Sequence, residues 1–140
     1  MELEIRGVVC DGQGKGRSFT ELDWVRQQFR DKIGFDPYPG TLNLRVKDAG
    51  ALTALRTHAG VTIEPGAPGY CTAKCFRVQI YRERSRTISG RVTAVWIIPD
   101  VPGYPDDLVE LMAPVSLRSV LGLKTGDAIS IRSLDAEQVP

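Results

Sequence analysis

Three short stretches hold the residues able to do chemistry. The first is CDGQGKGRSF, Cys10 to Phe19. Gly12, Gly14 and Gly16 alternate with Gln13 and Lys15, and Arg17 follows. Glycines let successive backbone N–H groups turn toward one anion and let that anion come close. Lys15 and Arg17 add full charges, and a helix expected from about Ser18 adds the positive end of its dipole. The pattern suits phosphate. It equally suits an exposed hairpin tip carrying two solvated cations. It is neither GxxxxGK[ST] nor the dinucleotide fingerprint, because the later glycine and the βαβ setting are missing.

The second stretch is PGTLN. Thr41 and Asn43 stand two apart on an expected strand, so their oxygens share a side. Neutral oxygens suit Mg²⁺ that phosphate and water already hold in part. Two polar residues on the solvent face of an edge strand would look the same. The third stretch is LVELMAPVSLR, 108–118. Alternation places Glu110 on a face with Leu108 and Met112. A carboxylate there needs a partner, either a substrate hydroxyl or one of the chain's basic residues. Arg118 is placed to clamp a phosphate or a base edge, or to lie over the surface.

The elements that must position these residues follow from periodicity. Residues 2–9 read as a strand ending at the glycine loop. Leu22, Val25, Phe29 and Ile33 form one apolar helical stripe. Ser18 and Glu21 have capping-box spacing, and Gly34 is a natural stop. Pro37, Pro39 and Gly40 exclude helix and demand a tight turn. From Thr41, Leu42, Leu44 and Val46 alternate with Thr41, Asn43 and Arg45. A short helix from Asp48 to about His58 turns Leu52 and Leu55 inward. Strand patterns then recur at 61–63, 75–81, 90–98, 107–112 and 127–133, with a short helix at 116–122. Six or more strands and few helices predict a mainly β fold: a closed or nearly closed, Greek-key-like β-barrel with one longer helix and one or two short ones packed on it. Trp24 and Trp96 are expected in the core or on the barrel face.

The chain has 140 residues, which suits one domain over 1–140. Its net charge is +1 at pH 7, so no global field favours nucleic acid or an anionic membrane. No apolar run approaches the ~20 residues of a membrane span, and the N-terminus lacks a signal pattern. Three cysteines, Cys10, Cys71 and Cys75, fit a reducing, cytoplasmic setting better than a disulfide framework. A zinc site on Cys71 and Cys75 would need carboxylates besides His58, the one histidine. The sequence sets no oligomeric state.

Taken in order, the basic glycine loop, the helix, GFDPYPGTLNLRV, ELMAPVSLR and the terminal LGLKTGDAISI resemble the archaeal-type CTP-dependent riboflavin kinases. The resemblance runs from Val8 to Ile131, and GF-P-PGTLN is its most specific piece. It implies a six-stranded cradle-loop barrel. It implies transfer of the γ-phosphoryl group of CTP to the riboflavin 5′-hydroxyl with Mg²⁺, giving FMN and CDP. Gly12, Gln13, Gly14, Lys15, Gly16 and Arg17 would then hold the nucleotide phosphates. Thr41 and Asn43 would contact Mg²⁺. Val115, Ser116, Leu117 and Arg118 would meet the cytidine, and Glu110 the flavin, with a general-base role also open to it.

One position departs from the family pattern. Members carry a threonine eight residues before that glutamate, in a THYP-like run that contacts the flavin product. Here the run is VPGYP, and Pro102 offers neither hydroxyl nor N–H. The rival readings are a kinase of the same mechanism acting on another alcohol, a nucleotide- or DNA-binding barrel without catalysis, and an interaction domain without a ligand.

Overall fold

The structure, a computed structural model, describes residues 4–12, 15–56, 60–82 and 91–134. The described residues form seven strands: β1 (Glu4–Cys10), β2 (Leu42–Arg45), β3 (Val61–Ile63), β4 (Ala73–Arg82), β5 (Arg91–Pro99), β6 (Leu108–Met112) and β7 (Ala128–Ser133). The helices are α1 (Lys15–Thr20), α2 (Asp23–Gln28) with a π-helical turn Phe29–Ile33 continuing it, α3 (Ala49–Arg56) and α4 (Leu117–Leu121).

Six strands close on themselves in the order β4-β5-β6-β2-β1-β7, with β7 returning to β4. All the pairings are antiparallel. Closure depends on the length of β4. One edge of it pairs with β5 along Ala73–Tyr81. Its other edge is shared, with β3 on Ala73–Cys75 and β7 on Val78–Arg82. The sheet therefore becomes a barrel and keeps one extra strand outside the ring.

Strand alternation separates two cores. Leu44, Val78, Ala94, Trp96, Val109 and Ile129 point into the barrel and are almost wholly buried. The opposite faces of β4, β5 and β6 carry Ala73, Cys75, Val95, Ile97 and Met112, which form a second apolar layer against Val25 and Phe29. The expected stripe Leu22–Val25–Phe29–Ile33 is this layer's helical side.

The helix that carries this stripe is shorter than the sequence predicts, because the chain breaks ahead of it. The first helix starts at Lys15 rather than near Ser18, so Ser18 sits inside α1 and the capping box does not form. The chain breaks at Leu22, whose extended backbone (ψ 133°) starts α2 without a side-chain cap. The π turn then closes with Gly34 N–H donating to the Phe29 carbonyl at 2.6 Å, and Gly34 (φ 105°) ends the helix as its sequence position predicts.

The break has a positional consequence. At the end of α1, buried Thr20 accepts a hydrogen bond from Gly40 N–H at 2.9 Å through Oγ1. Among the described residues no helix is long and apolar enough to cross a membrane.

Candidate active site

β2 is flanked on both sides, by β1 and by β6, so it is not an edge strand. Leu42 and Leu44 enter the barrel core, which leaves Thr41 and Asn43 on the outer face. Register then builds a row across the outside of the wall. Cys10 pairs with Asn43, Asn43 with Glu110, Glu110 with Ile97, and Ile97 with Cys75. The row passes from polar to apolar as it crosses from β1 to β4.

A cleft of about 930 Å³ opens over this row. That is near the upper end of the roughly 300–1,000 Å³ usual for small-molecule sites. Gly12, Thr41, Asn43, Pro102, Glu110 and Arg118 all line it. Residues as far apart in the chain as Gly12 and Arg118 thus meet at one place. A second hollow of about 130 Å³ adjoins it, lined by Val115, Ser116 and Leu117 and sharing Gly40, Thr41 and Arg118 with the larger one.

Gly12 lies so close to Asn43 that a Cβ added there would stand 2.2 Å from Asn43 Nδ2. Any side chain at position 12 would have to displace this amide. Asn43 is 9% exposed, and its Nδ2 donates to the Thr41 carbonyl at 3.4 Å. The Oδ1 is the end left to accept. Gln13 and Gly14 lie outside the described residues, as do the side chains of Lys15 and Arg17. Lys15, Gly16 and Arg17 form the first turn of α1 rather than a loop, and with six residues α1 brings only a short dipole.

Glu110 is held by two donors. Thr41 Oγ1 donates to its Oε1 at 3.2 Å, and the Tyr104 hydroxyl donates to its Oε2. Burial, reinforced by the bond to Glu110, pushes the Tyr104 phenol far above its usual range, so it stays a neutral donor. Tyr104 is aimed by the turn before it. Its N–H donates to the Val101 carbonyl at 3.2 Å, with Pro102 and Gly103 (φ 80°) between them. Proline then left-handed glycine at the two central positions is a type II turn. Pro102 therefore stiffens the loop that delivers Tyr104. The sequence reading missed Tyr104; its signal was a tyrosine set between PG and P just ahead of the Glu110 strand.

Arg118 links the late segment to the glycine loop. Its Nη2 donates to the Cys10 carbonyl at 3.5 Å and lies 3.6 Å from Asp11 Oδ1. Both side chains are substantially exposed, so this pair is weak and easily exchanged for an incoming anion. Ser116 is occupied as the N-cap of α4, accepting from Ser119 N–H at 3.4 Å, and Leu117 is 5% exposed in the core. Val115 is exposed.

Among the described residues no group of three His, Cys, Asp or Glu side chains is placed to hold a metal. The three cysteines are free, and burial pushes the Cys75 thiol up to about 12. His58 lies outside the described residues.

The profile of the family CTP-dep_RFKase, described as Domain of unknown function DUF120, matches residues 9–132. A riboflavin kinase of Archaeoglobus fulgidus is 38% identical over 133 residues, covering 92% of this chain and 54% of its own length. That of Methanocella arvoryzae is 40% identical over 129 residues, covering 91% and 55%. That of Halobacterium salinarum is 35% identical over 136 residues, covering 94% and 57%. The chain spans about half the length of the curated relatives it matches. On the match over 9–132 and these identities, the chain belongs to the CTP-dependent riboflavin kinase family.

Proposed function

We propose that the protein is a CTP-dependent riboflavin kinase, passing the γ-phosphoryl group of CTP to the 5′-hydroxyl of riboflavin to give FMN and CDP. One observation carries the reading: Thr41, to which we give the metal and phosphate, is hydrogen-bonded in one cleft to Glu110, to which we give the acceptor. Donor and acceptor groups meet at this contact.

The phosphates lie along Gly12 to Arg17. Gly12 has no side chain to keep them away, and Arg118 turns from Asp11 to meet them. The cytidine occupies the smaller hollow beside Val115 to Arg118, contacting backbone groups of Ser116 and Leu117. Glu110 accepts the hydrogen bond of the riboflavin hydroxyl while Thr41 and Tyr104 fix the carboxylate.

Thr41 and Asn43 fit Mg²⁺ that arrives with the triphosphate. They offer neutral oxygens, and no anionic cluster among the described residues would hold the ion alone. When bound, Mg²⁺ neutralises charge building on the phosphate oxygens. In the transfer the hydroxyl oxygen bonds to the γ-phosphorus and the bond to the β-bridging oxygen breaks. CDP leaves with that electron pair, and the hydroxyl proton passes to Glu110 or water. Such transfers ask mainly for positioning and charge stabilisation, which this set can supply.

Pro102 in the threonine position motivates a second reading, the same transfer to a different alcohol. Incubation with riboflavin, CTP and Mg²⁺ and chromatography of the products separates the two. FMN and CDP together support the first reading. CDP formation only with another alcohol supports the second, and tight salt-dependent binding of duplex DNA without turnover would favour a binding module instead.

A further inference from the structure

The kinase reading gives the nucleotide to α4 and the end of β1, and it leaves open what holds those two elements in register. α4 has five residues, far fewer than the roughly 12–15 an isolated helix needs to persist in water. Its last turn is anchored from β4. Arg82, the final residue of that strand, donates through Nη1 to the carbonyls of Leu121 at 3.2 Å and Gly122 at 2.7 Å. These are the groups a helix end leaves without a partner, and a cation suits the negative end of the dipole. The Arg82 Nη2 lies 3.5 Å from Asp127 Oδ2, and both side chains are largely sheltered from solvent, which limits screening of the pair.

From Gly122 (φ 64°) the chain folds back on α4, with Leu123 N–H donating to the Arg118 carbonyl at 2.8 Å. The rest of the turn is tied to β1. Gly126 N–H donates to the Val9 carbonyl and Val9 N–H to the Asp127 carbonyl, both at 2.8 Å. Asp127 Oδ2, the oxygen that faces Arg82, also accepts from Lys124 N–H at 2.8 Å. Thr125 Oγ1 donates to Asp11 Oδ1 at 2.8 Å, and this is the oxygen that Arg118 approaches. A connected set of bonds therefore runs from Arg82 through the 122–127 turn to Asp11 and closes on Arg118. Arg82 itself lines neither hollow.

We infer that Arg82 is a positioning residue for the phosphoryl donor: by clamping the end of α4 and the turn after it, it sets where Arg118 and the 115–118 backbone stand relative to β1. The inference rests on the kinase reading and deepens it. A side chain that touches neither substrate controls donor affinity and the preference for one base over another. The acceptor side is independent of it, because Glu110 is held by Thr41 and Tyr104 instead.

Calorimetric titration of the full chain with CTP and with ATP tests this, with the riboflavin KM measured beside it. Arg82→Ala weakens CTP binding about tenfold and brings CTP and ATP affinities closer together, while the riboflavin KM holds. Arg82→Lys keeps a cation within reach of the two carbonyls and recovers much of the loss. Thr125→Val cuts the turn's bond to Asp11, leaves Arg82 in place and weakens CTP binding in the same direction; it carries the test if Arg82→Ala does not fold. Wild-type CTP affinity and CTP-to-ATP ratio in the variant that carries the test, or an equal rise in the KM of both substrates, overturn the inference while FMN formation by the wild type keeps the kinase reading. A wild type that binds no CTP and makes no FMN overturns both.

Discussion

Tyr104 donates its phenolic hydrogen to Glu110 from a turn built on Pro102 and Gly103. Thr41 occupies the other carboxylate oxygen. The glutamate is thus fixed from both sides. Proline at 102 removes a hydroxyl from the cleft but stiffens the support of the residue that orients Glu110.

Tyr104→Phe keeps the ring and removes the donor. A hydrogen bond to a charged group contributes about 1.5–3 kcal/mol, so kcat/KM for riboflavin should fall at least tenfold. The CTP KM should not move. Steady-state kinetics with each substrate varied in turn checks this. Because the Tyr104 pKa is raised, no loss of activity near pH 10, the usual tyrosine range, should trace to this phenol. Difference absorbance at the phenolate band, wild type against variant, should show Tyr104 still protonated there.

Gly12→Ala tests the close approach of β1 to β2. The new methyl must displace the Asn43 amide, 2.2 Å away. A shift of about 1 Å at a transfer site costs roughly a hundredfold in rate. Turnover should fall by that order, with the melting temperature changed by only a few degrees. Normal turnover would show that the Asn43 amide plays no part in the reaction.

Thr41→Ala and Asn43→Ala should each cut turnover severely and raise the Mg²⁺ concentration needed for half-maximal rate. Thr41→Ser, which keeps the hydroxyl, should recover most of the loss. Mg²⁺ titrations of the three variants check this. An unchanged Mg²⁺ requirement in both alanine variants would remove these residues from the metal site.

Cys75 supplies a test of the outer apolar layer. Burial raises its thiol from 9.0 to about 12, so the native protein holds almost no thiolate there at pH 8. A thiol reagent should modify Cys10 and Cys71, which are half-buried, well before Cys75. The linkage has a definite sign. The folded state keeps this thiol neutral, so its contribution to stability is full below pH 9 and declines as pH rises from 9 toward 12. Denaturant unfolding of wild type and Cys75→Ala across that range should show the wild type losing stability faster.

Much of this was legible in the residues themselves. Alternation over 41–46 assigned the inward and outward sides of β2 correctly, because a strand has only two faces. Gly34 was readable as a stop, since a left-handed end favours glycine. The break at Leu22 was not: no glycine or proline marks it. Tyr104 and the hold of Arg82 on α4 were hidden for a different reason. Their meaning comes from strand register and loop placement, which join segments distant in sequence and leave no period in either one.

The most direct test of the account is the fate of the phosphoryl group. Wild-type protein is given CTP labelled at the γ-phosphate, riboflavin and Mg²⁺, with ATP in a parallel reaction. The account predicts label on FMN in a one-to-one ratio with CDP, little inorganic phosphate, and a much slower reaction with ATP. CDP accompanied by free phosphate and no labelled FMN would contradict a cleft that brings donor and acceptor together.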